Sequence, residues 1–384
     1  MIKNLKNLKP KMPEYIEKNI KQALIKGKYT DSFFISKYRF NIYRGCQNSC
    51  AYCDGRAEGY YTPKDFGNQI EVKINIIDVL KKEIPKIKEK GIIFVGGGVG
   101  DSYQKPEEKY QLARQVLQFL KDYNFPIHIL TKSALVERDF DILQQINDKN
   151  KSTISFSFCS NNQKIVDIFE PNCASVKERF YLLEKFKKNN FYTGIMYMPV
   201  IPFICDKKED FNSFLKDAKN SGVDFVIFSG MTLKTGIQKD YFLNVIKNNY
   251  PNLLDDYDKI YPSDNKYGAA NSKYYTKIYT DYYEVLKEYK IPSVIPHYIY
   301  KDKIEMKDEV AMILFHIYQL LKSRGEDKKV YEFAAWNILK LEEDIITLTK
   351  ENKLQTIKGI GTVISGIIKE IVEKRRCNYY EKLL

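Results

Sequence analysis

Six short strand-like runs, at 39–43, 91–96, 126–131, 152–158, 191–200 and 223–229, constrain this 384-residue chain more than any other feature. Helix-length amphipathic stretches lie between them, near 72–90, 106–123, 138–148, 174–189 and 207–221. Short β-rich runs read as strands, and apolar residues recurring at i, i+3 and i+4 read as helices. Strands always separated by a helix pair in parallel through right-handed crossovers. Six such units predict an α/β fold, a partial (β/α)6 barrel of the TIM type, with its chemistry at the C-terminal ends of the strands. The alternation stops near residue 235. The expected organisation is a basic leader at 1–37, the barrel at 38–235, an insertion or connector at 236–302, and a compact all-helical unit at 303–384. The insertion carries two helical stretches, near 238–248 and 272–289, and reads equally as a lid over the substrate or as a plain connector.

Cys46, Cys50 and Cys53 follow the first predicted strand, which places them at the barrel mouth. Three thiols spaced x3 and x2 can converge on one small inorganic object. Thiolates bind iron–sulfur clusters or zinc, and purely structural sites normally take four protein ligands. No fourth Cys or His is close in sequence; His128 and Cys159 are the next candidates downstream. The motif therefore reads as a [4Fe-4S] cluster with one iron left open for a reacting ligand, or as a zinc knuckle closed by a distant residue.

With Asn41-Ile-Tyr-Arg-Gly45 before it and Tyr52 inside it, the motif resembles the radical S-adenosylmethionine (SAM) superfamily. The resemblance implies that the open iron chelates the amino and carboxylate groups of SAM, and that Gly96, Gly97 and Gly98 approach the SAM amino group. Over about residues 38–235 the chain is similar to the spore photoproduct lyase-like branch. The matching pieces are Gly100-Asp-Ser-Tyr-Gln-Lys-Pro-Glu107, Leu130-Thr-Lys-Ser133 with Arg138-Asp139, Phe169-Glu-Pro171 with Arg179, and Pro199-Val-Ile-Pro202. This implies that Lys132 and Ser157 hold the SAM carboxylate or ribose and that Tyr52 packs near the adenine. Glu170 and Arg179 form a structural ion pair or grip SAM. Two positions depart from the branch. The loop after the second strand has no radical-quenching cysteine, and Asp54 follows the third cluster cysteine where a Tyr is usual. Cys159, just past the fourth strand, is the candidate replacement hydrogen donor.

Composition bounds the rest. No run approaches 18 apolar residues, so no membrane span is expected. The first 21 residues lack the apolar centre of a secretory signal. Seven cysteines do not suggest a disulfide framework and fit a reducing, cytoplasmic setting. The first 40 residues carry ten Lys and Arg against three Asp and Glu. Such a leader can track phosphates, or simply form a solvated lysine-rich surface.

Near the C-terminus, Lys358-Gly359-Ile-Gly361-Thr362 opens an amphipathic helix. Glycines flanking one apolar residue allow a tight turn and leave amides at a helix N-terminus, which binds phosphate without reading bases. With Tyr331-Glu-Phe-Ala-Ala-Trp-Asn337 upstream, residues 303–384 resemble a helix-hairpin-helix domain, similar to the small N-terminal lyase domain of family X DNA polymerases. The resemblance implies DNA contact through Lys358, Gly359, Gly361 and Thr362. At the position of that domain's Schiff-base lysine stands Ile367, so DNA binding without lyase chemistry is expected.

The combined expectation is a radical SAM enzyme using a [4Fe-4S] cluster and SAM on nucleic acid, with a flavodoxin or ferredoxin as electron donor. Repair of a covalent DNA base lesion leads. Radical modification of RNA or protein, and a non-catalytic DNA binder whose cluster senses redox state, are the alternatives.

Overall fold

The computed structural model describes residues 13–63, 65–96, 99–262 and 267–384. Ten strands lie among them, in order β1 (Glu14–Lys18), β2 (Ile25–Lys26), β3 (Tyr38–Phe40), β4 (Tyr43–Arg44), β5 (Gln69–Lys73), β6 (Ile93–Val95), β7 (Ile127–Thr131), β8 (Thr153–Phe158), β9 (Tyr192–Val200) and β10 (Phe225–Gly230). The main sheet runs β10-β9-β8-β7-β6-β3-β2. The five neighbouring pairs among its six strands from β10 to β3 are all parallel, and only β2 joins antiparallel. All six predicted strands are therefore present, in one parallel sheet with β10 and β2 at its edges: a partial barrel.

Crossover helices α1 (Ile76–Glu83), α2 (Leu112–Leu120), α3 (Phe140–Lys149), α4 (Val176–Lys188) and α5 (Lys208–Asn220) connect these strands. Each lays an apolar stripe against the sheet: in α2, Leu112, Ala113, Val116, Leu117 and Leu120 are all buried. β8 is buried at every position, as a central parallel strand covered on both faces must be.

Three boundaries differ from expectation. The run at 39–43 is divided between two sheets, because the chain leaves β3 at Phe40 and pairs again as β4 with β5. The predicted helix at 72–90 begins as a strand, β5, and becomes helical only at Ile76. The predicted helix at 106–123 breaks at Gln111, whose φ is +51°.

The basic leader falls partly among the described residues. Residues 1–12 lie outside the described residues, but 13–37 are built into the fold. β1 pairs in parallel with β5, and Lys37 is buried in an ion pair of 3.3 Å with Asp308 of the C-terminal unit. Asp308 also accepts from the Thr30 backbone at 3.1 Å.

Past the barrel come α6 (Ile237–Asn249) and α7 (Ser272–Tyr289), then α8 (Met306–Lys322), α9 (Val330–Leu339), α10 (Ile345–Lys350), α11 (Thr362–Lys374) and α12 (Asn378–Leu383). The C-terminal helices pack around α8, and their core takes in Ile35, Ile92, Met196, Phe225 and Ile227 from the barrel. The unit is thus seated on the barrel wall near β10 rather than tethered to it. Among the described residues no helix is long and apolar enough to cross a membrane.

Candidate active site

The cysteine loop leaves β4 through Gly45. Its φ of +84° is left-handed, and a Cβ there would stand 2.5 Å from the Gln69 carbonyl oxygen, so only glycine turns the chain into Cys46. Inside the loop, Arg56 holds the backbone: its Nε donates to the Cys50 carbonyl at 3.1 Å and a terminal nitrogen to the Ser49 carbonyl at 3.0 Å. The buried guanidinium stacks 3.5 Å over Tyr241, leaving a fixed positive charge behind the thiols.

Asp101 joins the elements that meet here. It accepts from the Asn48 side chain in the cysteine loop at 3.0 Å, from the Thr131 hydroxyl at 2.8 Å, and from the Lys132 backbone at 2.8 Å. Gln104 adds a second tie, receiving the Gln47 amide at 2.8 Å and donating to the Gly45 carbonyl at 3.1 Å. The ends of β4, β6 and β7 are thereby fixed relative to one another.

Cys46, Cys50 and Cys53 line one cavity of about 370 Å³ together with Tyr52, Lys132 and Ser157. The Lys132 ammonium donates to the Ser157 hydroxyl at 2.6 Å. Behind it, Glu170 lies 4.0 Å from Lys132 and 2.6 Å from Arg179. Burial alone would pull the Lys132 pKa down, but Glu170 and the neighbouring thiols outweigh it and the pKa is raised. Burial likewise pushes Glu170 up, yet Arg179 and Lys132 bring it below the ordinary carboxylate value. Both groups are charged at neutral pH. Burial holds the Tyr52 phenol well above its usual range, so it remains protonated and donates to Glu170.

Most sequence-predicted residues converge. Cys46, Cys50, Cys53, Tyr52, Lys132 and Ser157 face the cavity. Glu170 and Arg179 are fully buried behind Lys132, in the arrangement of a structural ion pair. Gly96 directly follows β6, and Gly97 and Gly98 lie outside the described residues; Val99 and Gly100 supply the cavity wall on that side. Cys159 is fully buried in the core, and its carbonyl accepts from the Cys205 thiol at 3.2 Å. His128 is buried between Ser155, at 2.8 Å, and the Phe34 carbonyl. Neither reaches the cavity.

The sequence reading missed Cys173. Its sulfur stands 3.9 Å from that of Cys50, across 123 residues of chain. It follows Glu170-Pro171-Asn172, two residues beyond the point where the matched motif was taken to end. Asp54 has a role that was also missed. It accepts from the Thr232 hydroxyl at 2.7 Å and the Gln238 amide at 2.9 Å, and pairs with Lys234 at 2.9 Å. The segment opening 236–302 is therefore fastened to the cysteine loop and is no plain connector.

At the C-terminal hairpin, Gly359 has φ +83°, and a Cβ there would meet the Phe333 ring at 2.7 Å. The Asn337 amide donates to the Lys358 carbonyl at 2.7 Å, and Gly361 is the N-cap of α11 with no side-chain cap. Thr362 is exposed, as is Val363. Ile367 is buried, and Lys369 lies on the surface 3.8 Å from Glu373.

Residues 40–218 match the Radical SAM superfamily. That span, just under half of the chain, is similar to the Radical SAM domain. An uncharacterized protein of Methanocaldococcus jannaschii is 28% identical over 217 residues, 56% of this chain and 77% of that one. An uncharacterized protein of Mycobacterium tuberculosis is 25% identical over 229 residues, 59% of this chain and 67% of that one. Among solved structures, a spore photoproduct lyase variant with bound AdoMet and dinucleoside spore photoproduct aligns with a TM-score of 0.53, at 16% identity, over 73% of this chain and 80% of that one. That likeness is one of fold.

The superfamily's cofactors are a [4Fe-4S] cluster and SAM, and the residues around the cavity fit them. Three soft thiols suit iron–sulfur ligation, while Lys132 and Ser157 offer a cation and a hydroxyl to a carboxylate or ribose beside them.

Proposed function

We propose that this protein is a radical SAM enzyme acting on nucleic acid, and that its substrate is a covalent base lesion in DNA. The observation that carries the reading is the shared cavity, where three cysteines stand beside a charged lysine hydrogen-bonded to a serine. In this reading Cys46, Cys50 and Cys53 hold the cluster, and Lys132 and Ser157 hold SAM. Bound and reduced, the pair supplies a 5′-deoxyadenosyl radical for hydrogen abstraction, which is chemistry of the cofactor.

The chain's own residues bind, orient and exclude water. Lys132 offers a full positive charge to a carboxylate. Ser157, which donates onward to the Met198 carbonyl at 3.0 Å, fixes the ammonium's direction. Glu170 and Arg179 set that ammonium from behind. Tyr52 closes one wall. The network of Asp54 with Thr232, Lys234 and Gln238 brings 232–238 over the cysteine loop and shields it.

A base paired inside a duplex is too deep to reach such a cavity, so the target nucleotide is flipped or already unstacked. Lys358, Gly359, Gly361 and Thr362 would hold neighbouring backbone phosphates at the uncapped start of α11. Supply of electrons by a flavodoxin or ferredoxin belongs to the same reading. A fold shared with spore photoproduct lyase supports DNA repair over the RNA and protein alternatives.

The test is anaerobic reconstitution with iron and sulfide, then dithionite and SAM, with ultraviolet-irradiated DNA, unirradiated DNA, tRNA or no polymer. Formation of 5′-deoxyadenosine, with lesion loss only in irradiated DNA, supports the proposal. Stimulation by tRNA instead would move the activity to RNA. An intact cluster that never cleaves SAM would leave the redox-sensing DNA binder.

A further inference from the structure

A larger cavity, of about 790 Å³, lies beside the cysteine cavity between β10, α7 and α8. The two share Ser229 in their walls. Tyr275 marks the junction: its ring stands 3.5 Å from where a Cβ on Gly230 would be, and Gly230 lines the cysteine cavity. A third space, of about 410 Å³, continues outward and shares Tyr283, Lys287, Ser293 and Arg324 with the large one. The three together form a groove from the thiols to the outer edge of the C-terminal unit.

The groove has a graded chemistry. Along its inner half run Tyr275, Tyr279 and Tyr283, at i, i+4 and i+8 on α7. All three are half-buried, with centroids 5.3 Å apart at 17° and then 6.2 Å apart at 42°. The core beneath α7 is filled by Ile278 and Tyr282, which are fully buried, and the three tyrosines pack on it while also lining the groove. The outer half carries Lys287, Lys290, Lys322 and Arg324, all exposed. Among the described residues none of the four is paired with a carboxylate; Arg324 donates to the Leu383 carbonyl at 2.6 Å, which fixes its guanidinium at the groove's outer edge. In the two outer spaces the acidic side chain is Glu284, and Lys208 neutralises it. A ligand suited to this groove has flat rings at one end and repeated anionic charge at the other. It is also long enough to run from one space to the next.

We infer that the groove between α7 and α8 is a binding track for an unpaired DNA strand, which delivers the target nucleotide past Tyr275 into the cysteine cavity. The inference rests on the proposed action on DNA and adds where, and in what form, the strand binds. Bases stack on half-exposed tyrosines whatever their sequence, and phosphates follow lysines and arginines, which is the usual physics of single-strand binding. The helical unit thereby contributes one wall of the substrate site as well as its own hairpin.

The test uses the full-length reconstituted protein and fluorescence anisotropy with a labelled 15-nucleotide oligo-dT and a labelled 15-base-pair duplex. Wild type is expected to bind the single strand. Tyr279→Ala should weaken that binding about tenfold, the loss of one stacked base. Tyr279→Phe, which keeps the ring, should retain it. The double change Lys287→Glu with Lys322→Glu should weaken binding further and reduce its dependence on salt. Unchanged melting temperature and cluster absorbance establish that each variant is folded. Variants that bind oligo-dT as tightly as wild type would overturn the inference alone, as would a wild type that binds only duplex. A wild type that binds neither nucleic acid would overturn the proposed function with it.

Discussion

The ammonium of Lys132 stands 2.6 Å from the hydroxyl of Ser157, at the ends of two adjacent strands and at the lip of the cavity that holds all three motif cysteines. Two residues 25 positions apart in sequence thus form one polar clamp beside the thiols. A charge-assisted hydrogen bond contributes roughly 1.5–3 kcal/mol. Lys132→Met is therefore expected to weaken SAM binding by about tenfold to a hundredfold, and Ser157→Ala by less. Isothermal titration with SAM on reconstituted protein checks both.

The Glu170–Arg179 pair is buried and ionised. Glu170→Gln removes one charge and strands the other, at an expected cost of about 3–5 kcal/mol in stability, read by urea unfolding. The pH dependence follows from the same pair. The folded pKa of Glu170 lies below the ordinary 4.5. Its stabilising contribution is therefore complete above 4.5 and is lost as pH falls through the lower folded value. Unfolding between pH 5 and 3 should show this loss in wild type and a smaller one in Glu170→Gln.

Cys173 lies 3.9 Å from Cys50 but is not one of the three motif cysteines. Cys173→Ser is expected to keep a wild-type iron content after reconstitution, whereas Cys50→Ser should lose most of it. In apo-protein treated with diamide, the oxidant accepts two electrons and two protons as a Cys50–Cys173 disulfide forms, because the sulfurs need to close only from 3.9 Å to about 2.05 Å. Peptide mapping should find that link, and find it absent in Cys173→Ser.

Gly359 turns the hairpin in a left-handed conformation against Phe333. Gly359→Ala is expected to destabilise the C-terminal unit by at least about 1 kcal/mol. It should also weaken duplex binding without altering SAM affinity. Gel shift and thermal unfolding check the two effects separately.

Much of the fold was legible because the six barrel strands are short runs rich in β-branched and aromatic residues and their helices are amphipathic, so pattern alone located them. The cluster motif was legible because its ligands are local. What escaped is long-range. Cys173 comes to Cys50 only when the chain between them is folded, and nothing in the spacing of the first three cysteines points to it. Asp54 looked like a departure from a family pattern, yet its carboxylate anchors Thr232, Lys234 and Gln238, nearly 180 residues on. β5 was missed, and its last two residues were taken into a predicted helix, because Ile70 and Val72 alternate for only five residues before the helical pattern begins. Lys37 read only as part of a basic leader, because its buried partner Asp308 lies 271 residues away.

Electron paramagnetic resonance of the dithionite-reduced protein, recorded with and without SAM, tests the central claim most directly. The account predicts a [4Fe-4S]⁺ signal whose shape changes on adding SAM, because one iron has no protein ligand, and a smaller change in Lys132→Met. A reduced cluster whose signal ignores SAM at saturating concentration would contradict it.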